Sequence, residues 1–282
     1  MKTNDTAIRQ DFILKNNHSK ISVLGTGWLG LPLAKTLISR DYEVKGSTRT
    51  QERISELLSA NILPYNIDLD KPNQNWSGFL DSEILIVNIP SKQADGFERL
   101  IANIKNSSIQ KIIFISSSSV YPDLDRVISE DDNLEDSKLP LRIIEKLFLN
   151  NTNFKTNIIR FGGLVGYSRH PGRFFKAGAI IKNPDAKVNL IHRDDCINII
   201  SKILELDLWG EELNCCADSH PSKRIFYSAA ALQCGIEKLN FEQNNEPSYK
   251  IISNQKVKKL LGYEFKYPDV IKIDFSLDEI SK

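Results

Sequence analysis

Gly25-Thr26-Gly27-Trp28-Leu29-Gly30 reads GxGxxG, a spacing that suits a backbone cradle for phosphate. Gly25 permits a tight turn, and Gly27 keeps side-chain atoms away from an approaching pyrophosphate. Gly30 lets the following helix pack closely on the preceding strand. A helix that starts there turns unpaired N–H groups and the positive end of its dipole toward the phosphates. The pattern alone is weak. It gains meaning because an apolar strand at residues 21–24 precedes it and an amphipathic segment follows. The chemistry it points to is dinucleotide binding by Gly25, Gly27, Trp28, Leu29 and Gly30, with Trp28 shielding the turn rather than stacking on a base.

The end of the second strand carries the next signal. An acid there bonds the ribose 2′-hydroxyl of NAD. This chain has Gly46-Ser47-Thr48-Arg49-Thr50 instead. Ser47 and Thr48 offer hydroxyls and Arg49 a guanidinium, a set that suits a 2′-phosphate. The expected cofactor is therefore NADP, with NAD as the alternative.

Other constellations are less specific. Residues 162–178 hold five glycines, and Arg160, Arg169, His170 and Arg173 gather around them. Arg169 and Arg173 suit a diphosphate or carboxylate on a substrate. Glu130, Asp131, Asp132, Glu135 and Asp136 form an acidic run. It reads as a solvated loop favouring the next helix N-terminus, the alternative being a metal or cationic group held there. His192 has no Cys or His at ligand spacing and reads as structural, bonding backbone near Asp195. The four cysteines include no CxxC, so neither a zinc site nor a disulfide scaffold is expected, and no metal is assigned.

The elements that must position these residues alternate. Strands are predicted at 21–24, 43–48, 63–67, 84–89, 111–116 and 156–160. Helices are predicted at 28–39, 51–58, 96–105 and 139–149. That alternation implies a parallel sheet covered on both faces. Further helices are predicted at 194–206, with Asp194 as N-cap, at 222–232, and at 255–261, ended by Gly262. Residues 1–19 are polar and aperiodic and read as a loose arm.

Composition sets the outer limits. The 282 residues carry 37 Lys plus Arg against 36 Asp plus Glu, a net charge of +1, which argues against nucleic acid or an anionic membrane held by bulk charge. No apolar run approaches the ~18 residues of a spanning helix, and MKTNDTAIRQ does not read as a secretory signal, so a cytoplasmic protein is expected.

In the order of its motifs the chain resembles the short-chain dehydrogenase/reductase superfamily, in its extended, nucleoside-diphosphate-sugar epimerase/dehydratase-like and atypical branch. Asp68-Leu69 is similar to the family's acidic adenine contact. Ser116-Ser117-Ser118-Ser119-Val120-Tyr121 resembles its SSxxVYG stretch. Arg160-Phe161-Gly162-Gly163-Leu164-Val165-Gly166 resembles LRxxGxYG, and Val188 to Asp195 resembles xNxIHxxD. The likeness runs from residue 20 to residue 269. It implies that Asp68, Leu69 and Ser116 contact the cofactor, that Ser117 polarises the reacting group, and that Ser118 faces the substrate. Two departures stand out. Leu24 occupies the place of the family's first turn glycine. The catalytic Tyr-x-x-x-Lys is missing: Ser137 and Leu141 stand at its positions, and no YxxxK occurs anywhere in the chain. Tyr121 is then the best remaining proton donor, since a phenol beside a positive nicotinamide can have its pKa lowered, the alternative being that it packs in the core. Lys138, Arg142 and His170 are the surrogates behind it.

The expected protein is a Rossmann-type α/β, doubly wound parallel sheet with a small C-terminal substrate lobe. The dinucleotide-binding domain is expected at 20–161, and 162–282 completes the sheet and forms the lobe. The expected function is an NAD(P)-binding oxidoreductase or epimerase-like enzyme, acting on a small hydroxyl, carbonyl or nucleotide-sugar-like substrate. The alternative is a non-catalytic NADP-binding sensor or partner protein.

Overall fold

The computed structural model describes residues 19–90, 92–175, 178–243 and 248–275. The expected arm lies outside these apart from Ser19. Strands β1 (Lys20–Leu24), β2 (Glu43–Thr48), β3 (Leu63–Asn66), β4 (Ile84–Val87), β5 (Lys111–Ser117), β7 (Lys155–Phe161) and β11 (Glu212–Cys215) form one seven-stranded parallel sheet. Its order is β11-β7-β5-β4-β1-β2-β3, the doubly wound pattern the sequence predicted. The chain turns back between β1 and β4, and ligands bind outside the carboxyl ends of strands at such a switch point.

The chain divides into two compact units. One holds the described residues up to Ile115 together with Ile143–Asn157; the other holds Ser116–Arg142 and the described residues from Ile158 onward. Segment 116–142, expected in the first domain, thus groups with the later part of the chain.

In the first unit, helix α1 (Gly30–Ile38) buries Gly30, Leu33, Ala34 and Leu37 against the sheet. β1 and β4 are buried apolar runs, as strands covered on both faces must be. Helix α2 (Ile54–Ser59) is preceded by a 3-10 turn at Gln51–Arg53, so the single helix predicted at 51–58 starts tighter than expected. Helix α3 (Ala94–Ile104) and helix α4 (Pro140–Leu149) bring Phe97 and Phe148 against Phe114 of β5, with ring centroids 4.9–6.0 Å apart. Three clustered aromatics of this kind contribute more than their area alone.

The second unit carries three short parallel pairs. They are β6 (Val127–Ile128) with β13 (Ile251–Ile252), β8 (Gly163–Val165) with β10 (Leu190–His192), and β9 (Ile180–Ile181) with β12 (Asn240–Phe241). Helix α5 (Arg193–Glu205) is capped by His192, whose Nδ1 accepts from the Asp194 N–H at 3.2 Å. The expected cap, Asp194, instead accepts from the Tyr167 hydroxyl and the Lys266 ammonium. Helix α6 (Lys223–Leu232) starts one residue later than predicted, with Ser222 as its cap, and helix α7 (Gln255–Leu261) ends at Gly262 in the left-handed conformation, as predicted. The fully buried carboxylate of Asp195 accepts from the Tyr263 hydroxyl and from the backbone of Lys266 and Tyr267, which ties the C-terminal segment to α5. Among the described residues no helix is long and apolar enough to cross a membrane.

Part of the acidic run departs from expectation. Glu135 has a side chain only 4% exposed and pairs at 2.6 Å with Arg160, which is fully buried. Arg160 also pairs with Glu212 and donates to the Tyr121 hydroxyl at 2.6 Å. Arg142 bridges the same two glutamates at 3.7 and 3.2 Å. Glu130 accepts from the Asn214 N–H at 2.6 Å, and burial raises its pKa. Glu130 and Glu135 thus depart from the solvated loop, and the cation Glu135 holds is the chain's own Arg160, while Asp131 and Asp136 are exposed as that reading expected.

Removing one member of a buried ion cluster strands the others, at a cost of about 3–5 kcal/mol. Arg160→Met should lower the unfolding free energy by roughly that amount. Arg160→Lys should recover little, because one ammonium cannot reproduce the guanidinium fork. Urea denaturation curves of the three proteins check this.

Candidate functional site

A cavity of about 300 Å³ opens at the carboxyl ends of β1, β2, β3 and β4. It is lined by residues of the first unit: the turn at Leu24–Gly27, Ser47–Arg49, Arg53, Ile67–Asp70 and Asn88–Pro90. Of the residues the sequence selected, it brings together Gly25, Gly27, Ser47, Thr48, Arg49, Asp68 and Leu69. Trp28, Leu29 and Gly30 continue the turn into α1 without lining the cavity.

The three glycines have distinct physical reasons. Gly25 has φ +99°, and a β-carbon there would lie 2.3 Å from the Asn88 carbonyl oxygen. On Gly30 it would lie 2.0 Å from the Gly25 carbonyl oxygen. These two are required by the protein's own packing. At Gly27 a β-carbon would meet nothing within 4 Å, and the residue is exposed. Folding does not demand a glycine there, whereas a bound pyrophosphate would. The residues present thus fit a dinucleotide.

The hydroxyls at the end of β2 are already engaged. Ser47 Oγ accepts from the Gly25 N–H at 2.8 Å, and Ser47 is 2% exposed. Thr48 Oγ1 accepts from the Thr50 N–H at 3.3 Å in a local turn. Arg49 is exposed and has no ion-pair partner among the described residues. Arg53, which the sequence reading passed over, lines the same cavity and pairs with Glu56 at 3.0 Å. The signal was available: Arg49 and Arg53 are four residues apart where a helix begins. Asn88 was also missed. Its Nδ2 donates to the Gly25 carbonyl at 3.1 Å. Past β3, Asp68 accepts from the Asp70 N–H at 3.3 Å and pairs with Lys71 at 3.6 Å, while Arg99 donates to the Leu69 carbonyl. These bonds fix the Asp68-Leu69 edge of the cavity.

The remaining candidates lie in the second unit. Ser116 is buried at the end of β5. Ser117 is half-buried and its Oγ accepts from the Ser119 N–H at 3.1 Å, capping the 3-10 turn Ser118–Val120. Ser118 is buried in that turn. Arg169 and Arg173 are exposed, flanking the buried His170. His170 Nδ1 accepts from the Gly172 N–H at 3.1 Å. Of the surrogate donors, Arg142 is held by Glu135 and Glu212, and Lys138 is exposed.

Tyr121 follows the core-packing alternative, in a buried cluster with Val120, Ile128, Cys216 and Ile252. It is 2% exposed, and its hydroxyl donates to Asn214 Oδ1 at 3.1 Å while accepting from Arg160. Burial pushes its pKa up to about 12, against the lowering that Arg160 provides. The expected lowered pKa is not found, because a phenolate has too little solvent here and the nearby cation already serves two carboxylates.

The geometry can be set beside known proteins. The NAD(P)H-binding family model matches residues 25–205. Protein YeeZ of Escherichia coli (strain K12) is 32% identical over 266 residues, covering 89% of this chain and 97% of that protein. A UDP-glucuronic acid 4-epimerase from Bacillus cereus, solved in complex with NAD, superposes with TM-score 0.72 at 20% identity over 91% of this chain and 96% of its own. A short-chain dehydrogenase/reductase superfamily protein from Agrobacterium tumefaciens with bound NAD gives TM-score 0.68 at 16% identity, covering 88% and 92%. At those identities the two structures show the fold.

The titration of Tyr121 is checkable. Its folded pKa is raised, so the stability it contributes is fully present below pH 10 and is lost as the pH rises toward about 12. In an ultraviolet difference titration, wild type minus Tyr121→Phe should show no tyrosinate step near pH 10 and one near 12. A step at 10 would show the hydroxyl to be solvated.

Proposed function

The chain belongs to the NAD(P)H-binding family, with the fold of epimerase-like short-chain dehydrogenases/reductases, and from that premise we propose that it binds NADP ahead of NAD at the β1–α1 turn. The observation that carries the reading is Gly27, a glycine the fold itself does not need, at the mouth of a cavity at the switch point of the sheet. The preference for the phosphorylated cofactor rests on Arg49. It is exposed at the end of β2 where no acid stands, with Arg53 on the same wall. Ser47 and Thr48, whose hydroxyls are engaged within the protein, add less to that preference than the sequence suggested.

When bound, the nicotinamide supplies a hydride donor or acceptor. On this reading the chain's own residues hold and orient. Gly25–Gly30 and the start of α1 take the pyrophosphate, Asp68-Leu69 the adenine edge, and Arg49 the 2′-phosphate. Ser116 adds a cofactor contact. Ser117 polarises a carbonyl or hydroxyl, and Ser118, Arg169 and Arg173 face a small substrate, a nucleotide sugar being the best fit to two exposed arginines. The role is oxidoreductase or epimerase-like, without the YxxxK relay. Tyr121 drops out as the proton donor, and water or Lys138 takes that place. A cytoplasmic location accompanies this reading.

A second reading is a cofactor-binding sensor without turnover. The raised Tyr121 pKa and the absence of YxxxK favour it.

A charge-assisted hydrogen bond is worth about 1.5–3 kcal/mol. Arg49→Ala should therefore weaken NADPH roughly 10- to 100-fold and leave NADH nearly unchanged. Gly27→Val should weaken both. Calorimetric titration decides, and equal losses for both cofactors in Arg49→Ala would remove it as the discriminator. A screen of carbonyl compounds and nucleotide sugars read by NADPH absorbance separates the two functions. Turnover that falls in Ser117→Ala supports the enzyme, and tight cofactor binding with no turnover supports the sensor.

A further inference from the structure

We propose that Ser47 and Asn88 are positioning residues for the phosphate-binding turn, clamping the Gly25 residue from both sides so that Gly27 and the start of α1 meet a pyrophosphate in one fixed arrangement. This rests on the dinucleotide-binding reading and goes beyond it, because it assigns these side chains to the shape of the turn rather than to the cofactor.

Gly25 sits at φ +99°. Such a conformation persists where the surroundings over-determine it. Here both of its polar groups are taken by side chains. Its N–H donates to Ser47 Oγ at 2.8 Å, and its carbonyl accepts from Asn88 Nδ2 at 3.1 Å. The two clamping residues stand at the carboxyl ends of β2 and β4, the strands on either side of β1. Thr26 adds to the Ser47 side: its N–H and its hydroxyl donate to the Ser47 carbonyl at 3.1 and 2.8 Å.

Gly30 explains why Asn88 can reach in. A β-carbon there would lie 2.8 Å from Asn88 Nδ2 as well as 2.0 Å from the Gly25 carbonyl oxygen. The third glycine therefore leaves the notch that the Asn88 amide and the Gly25 carbonyl share. Strand β2, turn and strand β4 are thereby locked into one hydrogen-bonded unit, and Gly27 is left facing the cavity. A fixed turn binds phosphate without an ordering cost at the moment of association.

The consequence separates Ser47 from Arg49. A residue that reads the 2′-phosphate affects NADPH alone. A residue that shapes the turn affects every ligand carrying the pyrophosphate, and no ligand lacking it. Isothermal titration of the full chain with NADPH, NADH, ADP-ribose and adenosine distinguishes these. Ser47→Ala and Asn88→Ala should each weaken the first three by about 10-fold and leave adenosine unchanged, as loss of one hydrogen bond implies. Asn88→Asp keeps the volume but replaces the donor with an acceptor, so it should lose at least as much as Asn88→Ala. Ser47→Thr, which keeps the hydroxyl, should recover most of the affinity. The Ser47→Ala/Asn88→Ala double variant should lose less than the two singles together, since both hold the same residue. Melting temperatures recorded alongside identify variants that fail to fold. A loss confined to NADPH, an equal loss for adenosine, or no loss at all would overturn the proposal. If the wild type binds neither NADH nor NADPH, it is the dinucleotide reading that falls, and this inference falls with it.

Discussion

The contact on which the first unit depends is the approach of the Gly30 α-carbon to the Gly25 carbonyl oxygen, too close for any β-carbon. It brings the first turn of α1 onto the end of β1 and so aims the helix N-terminus at the cavity. The same closeness leaves room for the Asn88 amide, and the bend it imposes leaves Gly25 in a left-handed conformation. Much of what could bind phosphate in this chain follows from that single steric limit, with Ser47 and Asn88 holding the bend from the ends of the neighbouring strands and Thr26 of the turn bonded to Ser47.

A second constraint governs the other unit. Arg160 is buried entirely and needs acceptors on every side. Glu135, Glu212 and the Tyr121 hydroxyl supply them. This binds the segment after β5, the end of β7 and strand β11 together. It also holds the Tyr121 hydroxyl between Arg160 and Asn214, and burial raises its pKa to about 12. The residue that replaces the missing Tyr-x-x-x-Lys in sequence terms is thus consumed by the fold. Function and stability draw on the same few polar side chains here, and stability has claimed this one.

At the end of β2 neighbouring side chains take different surroundings. Ser47 lies in β2 and Arg49 just past its end, and the Ser47 hydroxyl turns inward to a backbone N–H while Arg49 stays exposed. Arg49 lies past the last residue of β2, so strand alternation, which would place positions 47 and 49 on one face, no longer governs it. Asp68 and Asp70 bring acidic charge to the cavity from just past the end of β3, Asp68 being held by Lys71 and the Asp70 N–H.

The sequence by itself determined the alternation of strands and helices, the glycine turn, the bounds of β2 and α7, and the absence of the relay. Each of these is local: apolar period, turn chemistry and a missing residue can be read without knowing what lies across the fold. The partners of polar side chains were decided only by the tertiary structure. Glu135 looked solvated with the rest of its run because Arg160, 25 residues beyond it, gives no local sign that the two will pair. His192 took the cap of α5 from Asp194 because Tyr167 and Lys266, distant in the chain, claimed the carboxylate. Ser47 reads in the sequence as a hydroxyl suited to a 2′-phosphate, and that it accepts from the Gly25 N–H is visible only in the fold. Hydrogen bonds and ion pairs act over a few ångströms in space, and pairs joined across tens of residues leave no periodicity for a sequence to display.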